Sequence, residues 1–310
     1  MYVKRRPSLT VPLPLLRHLC CITVFTVLYA CSSAPSETKQ HTVEADRSAP
    51  AMQAQTPEDV LLHYWDGYNF HDSTNIRTPE KGEQSLVNFI NLFPQVAPDV
   101  VSSAVKSMLA MAKYDSKAYA FFLEQYEKYL YDPNSPVRND LYYEPVLEFK
   151  LDSTKLTETD KIKTETLLTL LRKNMPGSMA ADFSYVLSTG VPGQLASLSS
   201  PITVLFFYEP GCSHCEEAIG LLRNNATLNS HIANNRLTFL AVYPFGGRDI
   251  WKGYQDQIPN NWLNAFDEQG EVLKKGKYDL KATPTIFLLD EQKKVILKDA
   301  DVRVLLEYLG

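Results

Sequence analysis

The sequence predicts two folded parts, an all-α helical domain over residues 57–175 and an α/β domain over 178–310 with a mixed central sheet flanked by helices. Three observations lead to this prediction. In the first part, apolar residues recur every three or four positions, as they do on one face of a helix. In the second part, they form short continuous runs, which are typical of strands buried on both faces of a sheet. Between the parts, Pro176 and Gly177 interrupt the helical pattern.

The N-terminal segment has the composition of an export signal. Four basic residues precede an apolar run of twelve residues at 19–30, which is shorter than the roughly 20 residues that span a bilayer. The run ends in Leu28-Tyr29-Ala30-Cys31. This pattern is similar to the bacterial lipobox, although Tyr29 stands where a small residue is usual. We therefore expect residues 1–30 to be a lipoprotein signal peptide and Cys31 to be lipidated; an ordinary cleaved signal and an uncleaved anchor are the alternatives.

Residues 31–56 lack aromatic side chains and are poor in large apolar ones, so we expect a disordered tether behind the lipidated cysteine. The first thirty residues hold four positive and no negative charges, so their removal changes the formal net charge from −5 to −9. The basic residues are scattered, which argues against nucleic acid as a partner. These features predict an acidic protein of the bacterial cell envelope that faces the periplasm and contacts the membrane through its lipid.

Helix signals follow one another between residues 56 and 175. Thr56 is a suitable N-cap, and Pro57 suits the first helical position. Besides the helix that begins there, the apolar spacing predicts helices at 85–93, 99–113, 116–131 and 157–174. Their aromatic stripes are expected to form the core of a helical bundle.

The α/β part begins with a predicted hairpin, in which strands at 182–187 and 194–198 flank Thr189-Gly190. The further elements are predicted in chain order: a strand at 202–208, a helix at 212–224, a strand at 237–243, a strand pair at 285–289 and 295–298, and a helix at 302–309. The alternation of strands and helices, followed by a hairpin, predicts a mixed sheet.

Several chemistries lack their sequence signals. The chain has neither a G-x-S-x-G nucleophile elbow nor a phosphate-binding loop of the form G-x-x-x-x-G-K-S/T. His63 and His71 have acidic neighbours, but no third ligand stands at a usual metal-site spacing. We therefore expect neither a metal nor another cofactor.

The cysteines point to redox chemistry. Of the five, Cys20 and Cys21 would leave with the signal peptide and Cys31 would carry lipid, so only Cys212 and Cys215 remain. Cys212 follows a predicted buried strand at the start of a helix, where unpaired N–H groups and the helix dipole favour a thiolate. Cys215, three residues later, faces the same helical turn. It can therefore attack a mixed disulfide formed on Cys212 and release the product.

Two motifs in this part, YEPGCSHC after a strand and ATPTIFLLD about seventy residues later, resemble the thioredoxin superfamily, in particular its exported TlpA/ResA-like branch. We expect Cys212 and Cys215 to be catalytic and Ser213 and His214, which lie between them, to support them. The resemblance implies a cis bond between Thr283 and Pro284, facing the cysteines. The helical stretch YLYDPNSPVRND resembles a domain of unknown function that precedes thioredoxin-like domains in bacterial lipoproteins.

The chain departs from that branch at two positions. Gly211 stands where a tryptophan is common, and Phe206 replaces a carboxylate that many members bury six residues before the first cysteine. Proton transfer to Cys215 then needs another group, for which Glu209, Glu216 and Glu217 are the candidates. The imidazole of His214 can stabilise the Cys212 thiolate and so make the disulfide a better oxidant.

The sequence thus predicts a membrane-anchored thiol-disulfide oxidoreductase that acts on protein thiols or disulfides and exchanges electrons with an upstream thiol-disulfide partner. Reduction or isomerisation is favoured over oxidation. Three alternatives are weighed: a stable structural disulfide, a zinc site that would need two further ligands, and a redox-inert lipoprotein that binds a peptide or partner and uses the fold as a scaffold.

Overall fold

The computed structural model describes residues 55–152 and 156–310. The predicted signal peptide, the predicted lipidation site Cys31 and nearly all of the predicted tether lie outside the described residues. In the described part, a helical region is followed by a region built on one mixed sheet with helices against it. This is the predicted fold class. None of the described helices is both long and apolar enough to cross a bilayer.

The helical region begins as the capping signals predict. Thr56 accepts a hydrogen bond from the Asp59 N–H, the Asp59 carboxylate accepts one from the Thr56 N–H, and Pro57 occupies the first turn. The helices are α1 (Pro57–Leu62), α2 (Ser73–Arg77), α3 (Glu83–Ile90), α4 (Pro98–Ala112), α5 (Ser116–Leu130), α6 (Asp140–Leu151) and α7 (Glu158–Leu171). Helices α1, α3, α4, α5 and α7 match the predicted ones within a few residues.

Helix α6 was not predicted, because Pro145 lies inside it. Proline lacks the N–H that would bond to Leu141, one turn earlier, and so normally disfavours a helix interior. Here the Asn139 side chain caps the helix by accepting from the Leu141 N–H, and Val146 and Leu147 are buried in the core. Tertiary packing therefore outweighs the local propensity.

The core of the helical region is largely aromatic, as its stripes predict. Trp65 packs edge-on against Phe89 and Phe122, with ring centroids 5.5 Å apart in both pairs, which is a favourable geometry for aromatic rings. Not every apolar residue of these helices is buried: Ile162 of α7 is 54% exposed, whereas Leu168 and Leu171 of the same helix are buried.

The sheet has seven strands in the order β2-β1-β5-β4-β3-β6-β7. They are β1 (Ser184–Leu187), β2 (Pro192–Gln194), β3 (Ile202–Phe207), β4 (Leu237–Tyr243), β5 (Leu263–Phe266), β6 (Thr285–Leu289) and β7 (Val295–Leu297). The three central strands β5, β4 and β3 are parallel, and the outer pairings are antiparallel. The mixed sheet is thus confirmed.

The hairpin between β1 and β2 is present, but its second strand was misplaced. Gly190 has a positive φ of 86° and forms the turn. Strand β2 then covers 192–194, and a 3₁₀ turn, Leu195–Ser197, occupies most of the range 194–198 that was predicted as the second strand. Strand β5 and two helices, α9 (Ala226–Ala233) and α10 (Arg248–Gly253), were not predicted. Helices α8 (Ser213–Arg223) and α11 (Val302–Leu309) were.

The two faces of the sheet carry separate apolar clusters. On one face, residues of β3 and β4 such as Phe206 and Phe239 pack with side chains of α8, α9, α10 and α11. On the other face, Phe207 and Phe287 pack against Phe183 and Tyr278. Burial on both faces explains why β3 and β4 read as continuous apolar runs, and it fixes β3 as the strand that leads into Cys212.

Candidate active site

A tight turn connects the buried strand β3 to helix α8 and places Cys212 at the start of that helix. The Cys212 N–H donates to the Glu209 carbonyl at 3.2 Å, which closes the turn. Gly211 has a φ of +80°, a conformation that other residues rarely adopt. Glycine adopts this backbone without strain, so Gly211 fits the turn.

Cys212 is the N-cap of α8. Its sulfur accepts a hydrogen bond from the Cys215 N–H at 3.3 Å, one of the donors that a helix N-terminus leaves unpaired. The sequence predicted Cys212 inside the first turn; the structure places it one residue earlier, at the N-cap, where its sulfur accepts from one of those donors. The side chain is partly exposed, so a substrate can reach it.

The surroundings of Cys212 favour its thiolate. Burial by itself raises the pKa of the Cys212 thiol, but hydrogen bonds from the Cys215 thiol and the Thr283 hydroxyl oppose that effect. The main-chain N–H groups of Cys215 and His214 add to the opposition. The pKa of Cys212 therefore lies below its ordinary value, as expected for a nucleophilic cysteine at a helix N-terminus.

Cys215 has the opposite environment. Its side chain is fully buried, among residues of the apolar cluster that covers this face of the sheet. Burial raises the pKa of the Cys215 thiol, and its hydrogen bond to Cys212 raises it further. Both cysteines are free thiols in this structure. The pair thus combines an accessible, readily ionised sulfur with a neighbouring buried one that keeps its proton.

Thr283 contacts the Cys212 sulfur through two of its groups. Its hydroxyl oxygen and its carbonyl oxygen both lie 3.4 Å from the sulfur. The hydroxyl donates to the sulfur, and the carbonyl accepts from the thiol while Cys212 is protonated. The bond between Thr283 and Pro284 is cis, as the resemblance implies. Motifs about seventy residues apart are therefore joined at one sulfur.

The other predicted supporting groups point into solvent. Ser213 and His214 are exposed, and only the main chain of His214 acts on Cys212. Its imidazole forms no hydrogen bond to either sulfur within the described part of the chain. Glu209, Glu216 and Glu217, the candidates for proton transfer, are exposed as well, so any exchange between them and the buried Cys215 would have to pass through water or a substrate.

Aromatic rings fill the place of the missing buried carboxylate. Phe206 is fully buried, with its ring centroid 5.8 Å from that of Phe239 and 6.1 Å from that of Trp262. Cys215 belongs to the same cluster of buried apolar side chains. Apolar side chains therefore line the wall beside Cys215, which agrees with the raised pKa of that thiol.

Tyr254 also belongs to the site, although the sequence did not single it out. It follows α10, and its ring stacks on that of Tyr208 with centroids 5.9 Å apart. Burial raises the pKa of Tyr254, and negative charge on Glu216, Cys215 and Cys212 adds to this. A tyrosine in a polar stretch without a motif gave no signal before the fold was known.

Metal binding has no structural basis in the residues described. They contain no group of three or more His, Cys, Asp or Glu side chains placed to hold a metal ion. His63 lies 2.8 Å from the Asp66 carboxylate in an exposed pair on the helical region. The zinc alternative for Cys212 and Cys215 would need two further ligands, and this geometry does not bring them together.

Known proteins are similar to both regions. Residues 48–174 match the model of a domain of unknown function, DUF5106. A crystal structure of a thioredoxin-like protein from Bacteroides caccae is 36% identical, with 84% of this chain and 96% of that chain covered and a TM-score of 0.79. The C-terminal domain of an uncharacterized protein from Bacteroides fragilis is 37% identical, with 44% and 97% covered and a TM-score of 0.43.

A domain of a possible thiol-disulfide isomerase from Cytophaga hutchinsonii is 24% identical, with 44% of this chain and 93% of that chain covered and a TM-score of 0.37. No curated protein matches the chain. The two resemblances predicted from the motifs, one for the helical region and one for the sheet region, are confirmed by the domain match and by the Bacteroides caccae structure.

Proposed function

This chain belongs to the thioredoxin-like proteins, and we propose that it exchanges disulfides with protein substrates through Cys212 and Cys215. One observation carries the proposal. The partly exposed Cys212 sulfur accepts hydrogen bonds that lower its pKa, while burial raises the pKa of Cys215 three residues away. A structural disulfide needs no such difference, but a nucleophile and a resolving thiol do.

In the reducing direction, the Cys212 thiolate attacks one sulfur of a substrate disulfide. A bond forms between Cys212 and that sulfur, and the other substrate sulfur leaves as a thiolate. Cys215 then attacks the Cys212 sulfur and releases the first substrate sulfur, which takes up the Cys215 proton. The substrate gains two electrons, and the protein is left with a Cys212–Cys215 disulfide.

Thr283 has two groups that can serve this reaction. Its hydroxyl stabilises the Cys212 thiolate that attacks the substrate disulfide and, in the reverse direction, the same thiolate when it leaves the mixed disulfide. Once Cys212 has lost its proton, the Thr283 carbonyl no longer accepts from it. That carbonyl is then free to accept an N–H from an extended substrate segment, in the manner of an added strand.

Trapping of the mixed disulfide tests this function. The full-length Cys215→Ser protein is incubated with a purified disulfide-bonded peptide, and the attachment site is mapped by mass spectrometry, since Cys20, Cys21 and Cys31 are also present. We expect the peptide on Cys212 in this variant and no attachment there in the matched Cys212→Ser/Cys215→Ser control. An unmodified Cys212 in folded protein would refute the exchange role.

For the direction of exchange, we propose reduction or isomerisation, with a thiol-disulfide partner that returns the site to its reduced state. The resemblance to the TlpA/ResA-like branch supports this choice, whereas the stabilised Cys212 thiolate works against it. Equilibration with glutathione decides the matter. We expect a potential nearer the roughly −270 mV of thioredoxin than the roughly −120 mV of DsbA, and a value close to the latter would refute the proposal.

We further propose that the protein is held in the cell envelope by lipid on Cys31. The basic residues, the short apolar run and Leu28-Tyr29-Ala30-Cys31 support this. Radiolabelled palmitate should enter the protein in the bacterial cell, and Cys31→Ala should abolish the labelling. Labelling that persists in the Cys31→Ala variant would contradict the assignment.

A further inference from the structure

Six charged side chains form a largely buried cluster where the helical region meets the sheet region, with Arg138 the most exposed of them at 21%. The cluster, called the ionic cluster below, consists of Arg138, Asp140, Asp279, Lys281, Lys298 and Asp299. At its centre, the Lys281 ammonium lies 3.0 Å from the carboxylates of Asp140 and Asp279 and 3.2 Å from that of Asp299. The Lys281 side chain is only 3% exposed. Three cations and three anions balance one another.

Asp140 links the two regions. It is the first residue of α6, where the helix dipole favours a negative charge. One of its carboxylate oxygens lies 3.0 Å from the Lys281 ammonium and 2.7 Å from that of Lys298. Lys298 also donates to the Leu171 carbonyl at the end of α7. The helical region therefore contacts both lysines of the ionic cluster: Lys281 from α6, and Lys298 from α6 and from the end of α7.

Tyr131, which follows α5, adds a second contact from the helical region. Its ring centroid lies 5.0 Å from the Lys281 ammonium, within the range of a cation–π interaction. Its hydroxyl donates to the Asp279 carboxylate at 3.5 Å. Asp279 and Lys281 are thus both held from outside the sheet region.

These two residues begin the loop that leads to the active site. The loop, residues 279–284, runs from Asp279 through Lys281 to Thr283 and Pro284. Only Ala282 separates Lys281 from Thr283. The Thr283 hydroxyl contacts the Cys212 sulfur. The Ala282 carbonyl in turn accepts from the Thr285 hydroxyl at 2.6 Å. A displacement of Lys281 would therefore shift Thr283 relative to the sulfur.

We propose that Asp140 and Lys281 are positioning residues, through which the helical region holds Thr283 in contact with the Cys212 sulfur. This inference rests on the proposed function, because it assigns the helical region a role in that same site. Removal of one charge alone would leave an unpaired partner in a buried place. The pair must therefore be removed together, so that the remaining ionic cluster, with two cations and two anions, stays balanced.

The test compares two double variants of the full chain. Asp140→Asn/Lys281→Met removes the pair that joins the regions. Glu144→Gln/Arg172→Met is the matched control, because Glu144 also lies on α6 and its 2.6 Å ion pair with Arg172 stays within the helical region. For each protein, the alkylation rate of Cys212 by iodoacetamide is followed against pH by mass spectrometry of the Cys212 peptide.

We expect the Asp140→Asn/Lys281→Met protein to need a higher pH for the same alkylation rate, with a rate at pH 7 about 3- to 10-fold below that of the wild type, as loss of one hydrogen bond to the thiolate would give. The pH dependence of Cys212 alkylation in Glu144→Gln/Arg172→Met should be the same as in the wild type. A folded test variant with the wild-type profile overturns the inference.

If the test variant does not fold, Tyr131→Phe decides, because it removes only the hydroxyl that holds Asp279. A smaller decrease, about 2-fold, is then expected, and an unchanged profile overturns the inference. Trapping of the disulfide-bonded peptide by the Cys215→Ser protein is measured in parallel. A Cys212 that stays unmodified there refutes the proposed function alone, since the effect of Asp140 and Lys281 on Cys212 alkylation is read independently.

Discussion

Two polar sites, the ionic cluster and the Cys212 site, lie at opposite ends of the 279–284 loop and differ in how they stabilise charge. At one end, Lys281 is buried among three carboxylates, and its charge is fully paired. At the other end, Thr283 faces a partly exposed sulfur that accepts from neutral donors, the Thr283 hydroxyl and the Cys215 N–H. Paired charges can fix two regions of a protein together, whereas a charge held by neutral donors stays available for reaction.

The apolar wall beside Cys215 differs from the ionic cluster in having no partner for a buried charge among its rings. The substitution Phe206→Glu tests this difference and has the largest expected effect. The variant would place a carboxylate among the rings of Phe239 and Trp262, whereas the ionic cluster pairs each of its charges. Loss of the buried ring costs roughly 3–5 kcal/mol, and an unpaired charge costs several more. We expect the variant not to fold at pH 7, as judged by near-UV circular dichroism.

The control for this variant is Phe206→Leu, which should lose only about 1.5 kcal/mol of unfolding free energy because it stays apolar. Partial recovery of Phe206→Glu at acid pH, where the carboxyl is neutral, would agree with the interpretation. A Phe206→Glu protein as stable at pH 7 as Phe206→Leu would show that water or a cation reaches this wall.

The second prediction separates stability from reactivity. Lys281→Met leaves three carboxylates of the ionic cluster with only Lys298 and Arg138, so the unfolding free energy should fall by roughly 3–5 kcal/mol in urea titrations. Cys212→Ala, at the other end of the loop, should change the unfolding free energy by less than about 1 kcal/mol while abolishing disulfide exchange. Equal losses of stability in the two variants would remove the distinction between the sites.

The third prediction concerns the neutral donors. In Thr283→Val, a methyl group replaces the hydroxyl that donates to the Cys212 sulfur, so the pKa of Cys212 should rise. The rate of Cys212 alkylation at pH 7 should fall by about 3- to 10-fold, the worth of one such hydrogen bond. Ser213→Ala, which removes an exposed hydroxyl beside the same cysteine, serves as the control. A decrease in both variants would point to a general disturbance of the turn.

The sequence predicted the site more completely than the contacts that support it. The two cysteines and Thr283-Pro284 are parts of short motifs, and their chemistry depends on local backbone: the start of a helix and the residue before a proline. Strands β3, β4 and β6 are buried on both faces, so their apolar runs were unambiguous. Local patterns were therefore enough to predict that Cys212 and the Thr283-Pro284 segment meet in the fold.

The ionic cluster could not be predicted in the same way. Asp140 and Lys281 are 141 residues apart, and each looks like an ordinary surface charge in the sequence. Helix α6, which carries Asp140, was itself not predicted because a proline, Pro145, lies inside it. Contacts of this kind depend on how two regions pack, and neither periodicity nor a motif records that packing.

The last prediction concerns Cys215 and the change of stability with pH. Because burial raises the pKa of this thiol in the folded, reduced protein, the unfolded chain loses the proton first, and stability falls as the pH rises above the ordinary thiol value of about 8.5. At pH 9.5 this loss should be about 1.4 kcal/mol, one pH unit of linkage. The pKa of Cys212 is lowered instead, so Cys212 contributes no such loss.

Cys215→Ser removes this titration but keeps the buried tyrosines whose pKa values are also raised, such as Tyr126 and Tyr208. Unfolding free energies of reduced wild type and Cys215→Ser are therefore compared between pH 7 and 9.5, where the tyrosine contributions cancel. The wild type should lose about 1.4 kcal/mol more than the variant over this range. Parallel pH curves would mean that the Cys215 thiol ionises as readily in the folded protein as in the unfolded chain. The proposed difference in pKa between the nucleophile Cys212 and the resolving thiol Cys215 would then be refuted.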